Sequence, residues 1–543
     1  MKKILLFLLL VFPLATFSQE EYSLSLFEKF TGEAAGDNIG MNTSVSGDIN
    51  NDGYDDILVG AYGNDDGGIY SGAAYLIYGQ AESLTSFSSS DADAKFTGEA
   101  DGDRANVVLL RDINNDGYDD ILVGAYGNDL AGTFAGAVYL IYGQSTPYAD
   151  TIKLSTANAK FTGEAEGDCA GIALSSAGDV NNDGYNDILI SAYGNDDGGS
   201  VAGADYLIYG KETPFAGTIS LAAVDAEFTG EVAGDSISWS VASAGDVNND
   251  GYDDILIGAD SNDDGGALAG AAYIIYGQAI KYSGTISLAD ADAEFTGEAA
   301  GDHAGWSVSS VGDLNNDSYD DFLIGANGAD SYTGAAYLIY GQATLYSGTI
   351  SLSDADVKFT GEAPYDDAGY SVSNAGDVNN DGYDDILIGA DGVDNYAGAV
   401  YLIYGQETLY SSTINLAEAN FKFTGEAAFD WAYNASSAGD VNSDGYDDIL
   451  VGAYGNFEAG YFSGAAYLGY LYIDADHDGL LGPSILSTGT DTNDNDHDND
   501  GIETDIDCND DDINVGSEIT YYQDNDLDGL GNSLVDLDSC TVL

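Results

Sequence analysis

An acidic loop recurs along this sequence, and its residues have the types and the spacing of a metal-binding loop. The first copy, residues 48–56, has carboxylate or amide side chains at positions one, three, five and nine and Gly at position six. Oxygen donors at alternate positions of a tight loop converge on one point, and the backbone carbonyl of the seventh residue adds another hard ligand. The pattern predicts calcium, because magnesium prefers a smaller octahedron that retains several waters.

Seven copies of this loop are present, beginning at Asp48, Asp112, Asp179, Asp246, Asp313, Asp377 and Asp440. Asn, Asp and Gly also favour ordinary turns, but a plain turn needs no carboxylate at the first, fifth and ninth positions of every copy. The twelfth residue of the first copy is Val59, not the Glu of an EF-hand, so we expect the loop to join two strands with Asp56 as its closing ligand. Ser318 replaces Gly in the fifth copy, which makes that site the least regular.

A second repeated element indicates how the loops are positioned. The string FTGE begins at Phe30, Phe96, Phe161, Phe228, Phe295, Phe359 and Phe423, at intervals of 64 to 67 residues. Each repeat contains short apolar runs, such as residues 57–59, separated by turn residues, and runs of this kind are typical of strands buried on both faces. With four strands per repeat, the sequence predicts an all-β fold, a seven-bladed β-propeller of four-stranded antiparallel blades.

The two ends of the repeat region predict how the ring closes. An FTGE element precedes the first acidic loop, and none follows the seventh repeat, which ends near residues 470–473. We therefore expect residues 27–31 to complete the last blade, which would remove two exposed sheet edges. A repeat of about 65 residues is long for a solenoid coil and short for an independent domain, so these two alternatives are less favoured. The predicted propeller spans residues 19–473.

Composition and the first residues indicate an exported protein. Met1, Lys2 and Lys3 precede an apolar run over residues 4–14, which predicts a signal peptide over residues 1–18 and a secreted or cell-surface protein. The chain has 94 acidic and 12 basic residues, a formal charge of −82 and 44% hydrophobic residues. Such a charge disfavours nucleic acid and anionic membranes as partners and favours bound divalent cations. The hydrophobic content predicts a folded core for most of the chain.

The repeats resemble the FG-GAP repeats of integrin alpha subunits over residues 27–473. The resemblance implies a seven-bladed propeller with calcium in the acidic loops on one face and partners on the opposite face. The family's Gly-Ala-Pro stands here as Gly60, Ala61 and Tyr62, and all seven acidic loops are kept. The resemblance is therefore strongest to bacterial secreted FG-GAP proteins and does not imply integrin-type partner recognition.

By similarity, five residues of each loop would bind the calcium ion, the Tyr through its carbonyl oxygen. The implied ligands are Asp48, Asn50, Asp52, Tyr54 and Asp56; Asp112, Asn114, Asp116, Tyr118 and Asp120; Asp179, Asn181, Asp183, Tyr185 and Asp187; Asp246, Asn248, Asp250, Tyr252 and Asp254; Asp313, Asn315, Asp317, Tyr319 and Asp321; Asp377, Asn379, Asp381, Tyr383 and Asp385; and Asp440, Asn442, Asp444, Tyr446 and Asp448.

One position changes completely from repeat to repeat, although the residue before it is always Asp. Its occupants, eight residues after each FTGE Phe, are Asn38, Arg104, Cys169, Ser236, His303, Asp367 and Trp431. Because strands alternate in direction, we expect this position on the face opposite the acidic loops, where it could build a ligand-binding surface around the central channel. An exposed position that is free to vary explains the same pattern.

The composition changes after residue 473, and residues 474–543 form a predicted Asp-rich tail. It loosely resembles thrombospondin type 3 calcium repeats, with candidate ligands Asp474, Asp476, Asp478, Asp496, Asp498, Asp500, Asp524, Asp526 and Asp528. A segment with so few apolar residues would become ordered around metal or would remain a disordered acidic tail. Cys508 and Cys540 are the one pair of cysteines that could form a local disulfide. The chain ends shortly after Cys540, which is compatible with a fragment of a longer protein.

The sequence predicts a binding protein and not an enzyme. His303, His477 and His497 are the only histidines, and their spacing gives no Ser-His-Asp or Cys-His arrangement. We expect a monomeric, calcium-binding propeller that acts in adhesion or ligand binding, with an unknown extracellular protein or glycan as its partner. Two alternatives stay open: a polysaccharide-active enzyme that uses the face opposite the acidic loops, and a structural matrix protein whose copies calcium bridges.

Overall fold

The fold is known from a computed structural model, which describes residues 19–44, 47–81, 84–237, 239–410 and 412–471. The predicted leader, residues 1–18, and the predicted tail, residues 474–543, lie outside the described residues. The described chain forms seven sheets arranged as the blades of a β-propeller, as the sequence predicts. Within each sheet the first four strands are antiparallel neighbours.

Each blade begins with a strand at the central channel and continues outward. The first strands are Ile39–Thr43, Ala105–Leu110, Leu174–Gly178, Val241–Gly245, Ala304–Gly312, Ala368–Gly376 and Ala432–Gly439. The second strands are Ile57–Ala61, Asp120–Ala125, Asp187–Ala192, Asp254–Ala259, Asp321–Ala326, Asp385–Ala390 and Asp448–Ala453. The third strands are Ala73–Ile77, Ala137–Ile141, Ala204–Ile208, Ala271–Ile275, Ala335–Ile339, Ala399–Ile403 and Ala465–Gly469.

The fourth strands carry the FTGE phenylalanines. In blade order they are Ala94–Thr97, Ala159–Thr162, Ala226–Thr229, Ala293–Thr296, Val357–Thr360, Phe421–Thr424 and Glu28–Thr31. The last of these comes from the N-terminal end of the described chain and pairs antiparallel with Ala465–Gly469 of blade seven. The predicted closure of the ring by residues 27–31 is confirmed, since this strand supplies what the seventh repeat lacks.

A fifth strand in every blade was not predicted from the sequence. It runs parallel to the fourth strand and belongs to the connection that leads into the next blade's fourth strand. The fifth strands are Asp150–Lys153, Gly217–Ser220, Gly284–Ser287, Gly348–Ser351, Ser412–Asn415, Glu20–Ser23 and Phe87–Ser88. The hydroxyl group of Tyr209 accepts a hydrogen bond from the backbone of Tyr282 in this connection, at 2.7 Å. The connection therefore ties neighbouring blades together and covers the edge of the preceding sheet.

Helical structure in the described residues is limited to single turns. Seven 3₁₀ turns follow the fifth strands: Leu24–Leu26, Ser89–Asp91, Leu154–Thr156, Leu221–Ala223, Leu288–Asp290, Leu352–Asp354 and Leu416–Glu418. Two short turns, Ala329–Tyr332 and Val393–Tyr396, join the second and third strands of blades five and six, and the last three residues of each have left-handed backbone with φ between 50° and 66°. Among the described residues we find no helix with the length and apolar character needed to cross a bilayer.

The core consists of apolar layers between adjacent blades. The second and third strands are buried at nearly every position, as expected for sheets covered on both faces. Between blades seven and one, Phe30 packs with Ile57 and Leu450, so the strand from the N-terminal end contributes side chains as well as hydrogen bonds to closure. The ring has its acidic loops on one face, after the first strands, and its FTGE turns on the other.

Candidate functional site

The acidic loops are folded so that their carboxylates face the loop interior. In the first loop, the Asp48 carboxylate accepts hydrogen bonds from the backbone N–H groups of Asp52, at 3.0 Å, and Gly53, at 2.8 Å. Asp52 in turn accepts one from Tyr54 at 3.2 Å. The first-position Asp makes the same two contacts in all seven loops. The loop backbone therefore wraps around its own acidic side chains, which is the arrangement that a central cation needs.

The ninth residue of each loop is a buried Asp, and in the first six loops its carboxylate accepts a hydrogen bond from the glycine two residues after the third strand. The Asp254 carboxylate accepts hydrogen bonds from the backbone of Val247, at 3.1 Å, and from Gly277, at 2.8 Å. Burial raises the pKa of the Asp254 carboxyl group to about 8, and the negative charges of Asp250 and Asp246 contribute to this increase. A buried carboxylate among other carboxylates is compensated when a cation is bound.

Further features of the loops fit a hard cation. The Asn50 side-chain oxygen is buried and accepts no hydrogen bond from the described residues, and the Asn442 amide is likewise without a described partner. An unsatisfied buried oxygen is costly, and at the third loop position it is placed as a metal ligand would be. The donor set is composed of oxygens throughout, which suits calcium.

The fifth loop keeps the shared conformation despite Ser318. The Ser318 backbone adopts φ of 75° and donates to the Asp313 carboxylate at 2.7 Å, as Gly53 does to Asp48 in the first loop. A non-glycine residue is strained in this region. The irregular loop therefore has the same shape as the others, at a cost in stability.

A ring of hydrogen bonds between neighbouring loops is a feature that the sequence analysis missed. The residue before the ninth-position Asp reaches the first residue of the preceding blade's loop: for example, Asp253 accepts from the Asp179 backbone at 2.6 Å. The seven residues that make these contacts are Asp55, Asp119, Asn186, Asp253, Asp320, Asp384 and Asp447. The sequence feature that could have indicated this ring is the Asp-Asp doublet at the end of most loops. A metal site in the loop needs only the second of these two aspartates.

The channel beside this ring is polar and acidic. A cavity of about 720 Å³ is lined by the first strands and by the side chains of Arg111, Asp384 and Asp447. Burial raises the pKa of Asp384 to about 6, with the charges of Asp447 and Asp320 as further causes. The loops and the channel mouth together form a strongly negative face.

The opposite face is built from the FTGE turns. The Asp that precedes the variable position accepts a backbone hydrogen bond from the residue three places earlier in all seven turns, at 2.7 to 3.0 Å. The variable residue that follows has φ between 50° and 56° in every turn. The invariant Asp therefore stabilises a tight turn, which explains its presence in every repeat.

The variable residues lie on this face, but they are not freely exposed. Asn38 and Cys169 are buried, and Arg104, Ser236, His303, Asp367 and Trp431 are half-buried. Arg104 donates to the Tyr126 hydroxyl at 3.2 Å, and Nδ1 of His303 lies 3.7 Å from a carboxylate oxygen of Asp260. Several of these residues thus pair with the residue that follows a second strand, which limits how far they can vary independently.

An arc of aromatic rings extends across this face from blade three to blade seven. The rings of Trp239 and Trp306 are stacked at 6.1 Å and 9°, and Trp431 stacks on Tyr454 at 5.3 Å and 6°. We define the aromatic arc as the continuous series Tyr193, Trp239, Trp306, Tyr370, Tyr433, Tyr454, Trp431 and Phe462. Trp239 is 44% exposed. Of the predicted ligand-face residues, Trp431 is the one that belongs to the arc.

The candidate ligands of the Asp-rich tail, from Asp474 to Asp528, lie outside the described residues. The same holds for Cys508 and Cys540, whereas Cys169 is a free, buried thiol.

Comparisons with known proteins agree with the repeat architecture. Segments of the chain match the FG-GAP repeat at residues 42–77, 105–141, 238–275, 304–339, 368–403 and 432–473. These segments fall in blades one, two and four to seven, each around an acidic loop. The chain carries FG-GAP repeats, and its propeller resembles the N-terminal region of integrin alpha subunits.

Among curated relatives, the chain is 30% identical to integrin alpha-5 of Xenopus laevis over 229 residues, which are 40% of this chain and 20% of that protein. It is 32% identical to phosphatidylinositol-glycan-specific phospholipase D of Bos taurus over 212 residues, 36% of this chain and 24% of that protein. It is 25% identical to integrin alpha pat-2 of Caenorhabditis elegans over 238 residues, 40% of this chain and 18% of that protein. The matches thus span a quarter or less of the length of these relatives.

Proposed function

We propose that this chain is a secreted, calcium-stabilised propeller that binds an extracellular glycan or protein, as in adhesion, through the face opposite its acidic loops. The aromatic arc carries this proposal, because half-exposed Trp and Tyr side chains are the residues that most often dominate binding energy at interfaces. They also stack on the apolar faces of sugar rings. A role in adhesion or ligand binding agrees with the resemblance to integrin alpha subunits.

The calcium part of the proposal rests on the acidic loops. One Ca²⁺ in each loop would be held by the first, third, fifth and ninth side chains and the seventh carbonyl, and it would compensate carboxylates that are now buried together. Because the loops are hydrogen-bonded into a ring, metal in one loop would also restrain its neighbours. We propose the same domain boundaries as above: a leader over residues 1–18, the propeller over 19–473 and a calcium-binding tail over 474–543.

Substitution of the arc tests the ligand-binding part. We expect Trp239→Ala and Trp306→Ala to weaken binding to a glycan or protein ligand found by array screening about tenfold or more each, as for interface hot spots. Ile280→Ala is the matched control, because Ile280 is 78% exposed and follows the third strand of blade four, on the acidic-loop face. Unchanged affinity in both Trp variants would place the ligand elsewhere and contradict the proposal.

A polysaccharide-active enzyme is the second candidate, and a pair of carboxylates beside the arc is the observation in its favour. Asp367 and Asp391 share a hydrogen bond, and burial together with the Asp367 charge raises the pKa of Asp391 to about 7. Glycosidases hold their two carboxyl groups about 5 Å or more apart, so that a sugar or a water fits between them. Because Asp367 and Asp391 are in direct contact, we assign them a structural role and propose a non-catalytic protein.

A further inference from the structure

In five of the seven blades, a lysine on the fourth strand lies beside acidic residues of the turns on the FTGE face. Lys95 extends from the fourth strand of blade one, and its ammonium group lies 3.0 Å from Glu33, 2.5 Å from Asp66 and 5.0 Å from the centre of the Tyr75 ring. The equivalent residues Lys29, Lys160, Lys358 and Lys422 each bind an FTGE glutamate and lie over the buried Tyr of a third strand. A positive charge therefore occupies this place in five of the seven blades.

Blades three and four have a glutamate in place of this lysine. Glu227 is the strand partner of Tyr206, and Glu294 is that of Tyr273, as Lys95 is that of Tyr75. The FTGE glutamate and the turn aspartate remain in both blades, so three carboxylates meet. The two clusters are Glu164, Asp197 and Glu227 in blade three, and Glu231, Asp264 and Glu294 in blade four. In each cluster, one oxygen from every residue lies within 4.8 Å of the others.

The central glutamate of each cluster has a carboxylate oxygen that needs a partner. Glu227 is 9% exposed and Glu294 8% exposed. One oxygen of Glu227 accepts a hydrogen bond from the Thr285 hydroxyl at 2.9 Å, and Thr349 does the same for Glu294 at 3.0 Å. The other oxygen, Oε1, is buried in both residues and has no hydrogen-bond donor among the described residues. A buried charge is costly unless it is paired or bound to metal.

We propose that a hard divalent cation such as Ca²⁺ takes the place of the lysine ammonium group in these two blades and bridges the three carboxylates of each cluster. Oxygens that each lie 2.3 to 2.6 Å from one Ca²⁺ can be up to about 5 Å apart, which the clusters satisfy. Asp197 and Asp264 are exposed, so water can complete the coordination. These sites lie on the FTGE face and are separate from the acidic loops.

An asparagine beside each cluster helps to position the residues that carry its carboxylates. In blade three, the Asn195 amide donates to Glu164 at 2.9 Å, and its oxygen accepts from the Asp197 backbone at 2.8 Å. In blade four, Asn262 accepts from the Asp264 backbone at 2.8 Å. The same Asn occurs in the lysine-containing blade one, where Asn64 accepts from the Asp66 backbone. The asparagine and the turn that it holds are therefore common to blades with the lysine and blades with the glutamate. The two kinds of blade differ in the cation, which is an ammonium group in one and a metal ion in the other.

Replacing both glutamates by lysine tests the proposal with a side chain that five blades already accommodate. We expect the full-length Glu227→Lys, Glu294→Lys double variant to bind two fewer Ca²⁺ ions than the parent in equilibrium dialysis, and to unfold at a higher temperature than the parent in chelator. Ion sites in the acidic loops and in the tail are common to both proteins and cancel in the difference. If the parent and the double variant bind the same number of Ca²⁺ ions, the proposal is wrong. The clusters would then hold a shared proton or no counter-ion.

A gain of sites tests the same geometry in the opposite direction. Lys95→Glu places a third carboxylate beside Glu33 and Asp66, so this variant should bind one Ca²⁺ ion more than the parent. Lys160→Glu is the matched control, since Leu130 occupies the position of the turn aspartate in blade two, and this variant should gain none. A failure of Lys95→Glu to gain an ion would count against the proposal. Neither experiment alters the acidic loops or the aromatic arc, so its failure leaves the proposed function standing.

Discussion

Replacing the ninth-position aspartate of one acidic loop by asparagine tests how the loop is stabilised. Asp254 is fully buried and accepts two backbone hydrogen bonds, at 2.8 and 3.1 Å. In metal-free protein at pH 7 its carboxyl group, with a pKa of about 8, is mostly protonated and resembles an amide. We therefore expect Asp254→Asn to change the free energy of unfolding by no more than about 1 kcal/mol in chelator, the scale of one hydrogen bond.

In the presence of calcium, the same substitution should lower the free energy of unfolding by much more. A ligand present at a hundredfold excess over its Kd stabilises the folded state by about 2.7 kcal/mol, and the variant loses up to this amount because its loop has one carboxylate fewer. Urea unfolding of parent and variant, each with chelator and with calcium, measures both values. We expect the loss in free energy of unfolding caused by the substitution to rise by up to about 2.7 kcal/mol on addition of calcium.

Asp292→Asn is the control for this experiment, because it makes the same chemical change in the same blade. Asp292 is exposed and accepts a hydrogen bond from the Tyr276 backbone at 2.9 Å. Asn158 makes the equivalent contact to Tyr142 in blade two. The control should cost less than about 0.5 kcal/mol, as at ordinary surface positions, with or without calcium. An equal cost of Asp254→Asn in chelator and in calcium would refute the assignment of this loop as a metal site.

Three further substitutions test the closure of the ring, the strained position in the fifth loop and the buried carboxylate pair. Phe30→Ala should lower the free energy of unfolding by about 3 to 5 kcal/mol, since Phe30 closes the ring between blades seven and one, and urea unfolding measures this loss. Ser318→Gly should raise stability by about 0.5 kcal/mol by relieving positive-φ strain, and a lower urea midpoint would contradict this. Folded Asp391 keeps its proton up to about pH 7 whereas the unfolded chain loses it near pH 4, so stability falls as pH rises between these values. Asp391→Asn should therefore unfold at a higher temperature than the parent at pH 8 and show a clearly smaller advantage at pH 5, and equal differences at both would contradict the assignment.

Periodicity allowed most of the fold to be predicted. Seven FTGE elements and seven acidic loops indicated the number of blades, and the position of Phe30 before the first loop indicated how the ring closes. The fifth strand was missed because segments such as Gly217–Ser220 are short and mostly exposed. Their place depends on backbone pairing with the preceding blade and on the Tyr hydroxyl contacts, which leave no hydrophobic pattern in the sequence.

The candidate site features were visible in the sequence where each is confined to a single repeat. The ligand pattern of the loops is visible at residues 48–56 alone, whereas the ring of contacts through residues such as Asp253 joins different blades and needs the fold to be seen. The same holds for Glu227, whose neighbours Glu164 and Asp197 are distant in sequence. The repeats show that Glu227 occupies the position of Lys95. The cation site proposed from this difference, however, depends on the carboxylates that the fold brings next to Glu227.

Anomalous diffraction from crystals of the calcium-loaded protein tests most directly whether the acidic loops are calcium sites. We expect an anomalous difference peak inside each of the seven loops, among the first, fifth and ninth carboxylates. Loops that keep the present conformation but show no peak at saturating calcium would contradict it, and the loops would then be turns held by their own hydrogen bonds.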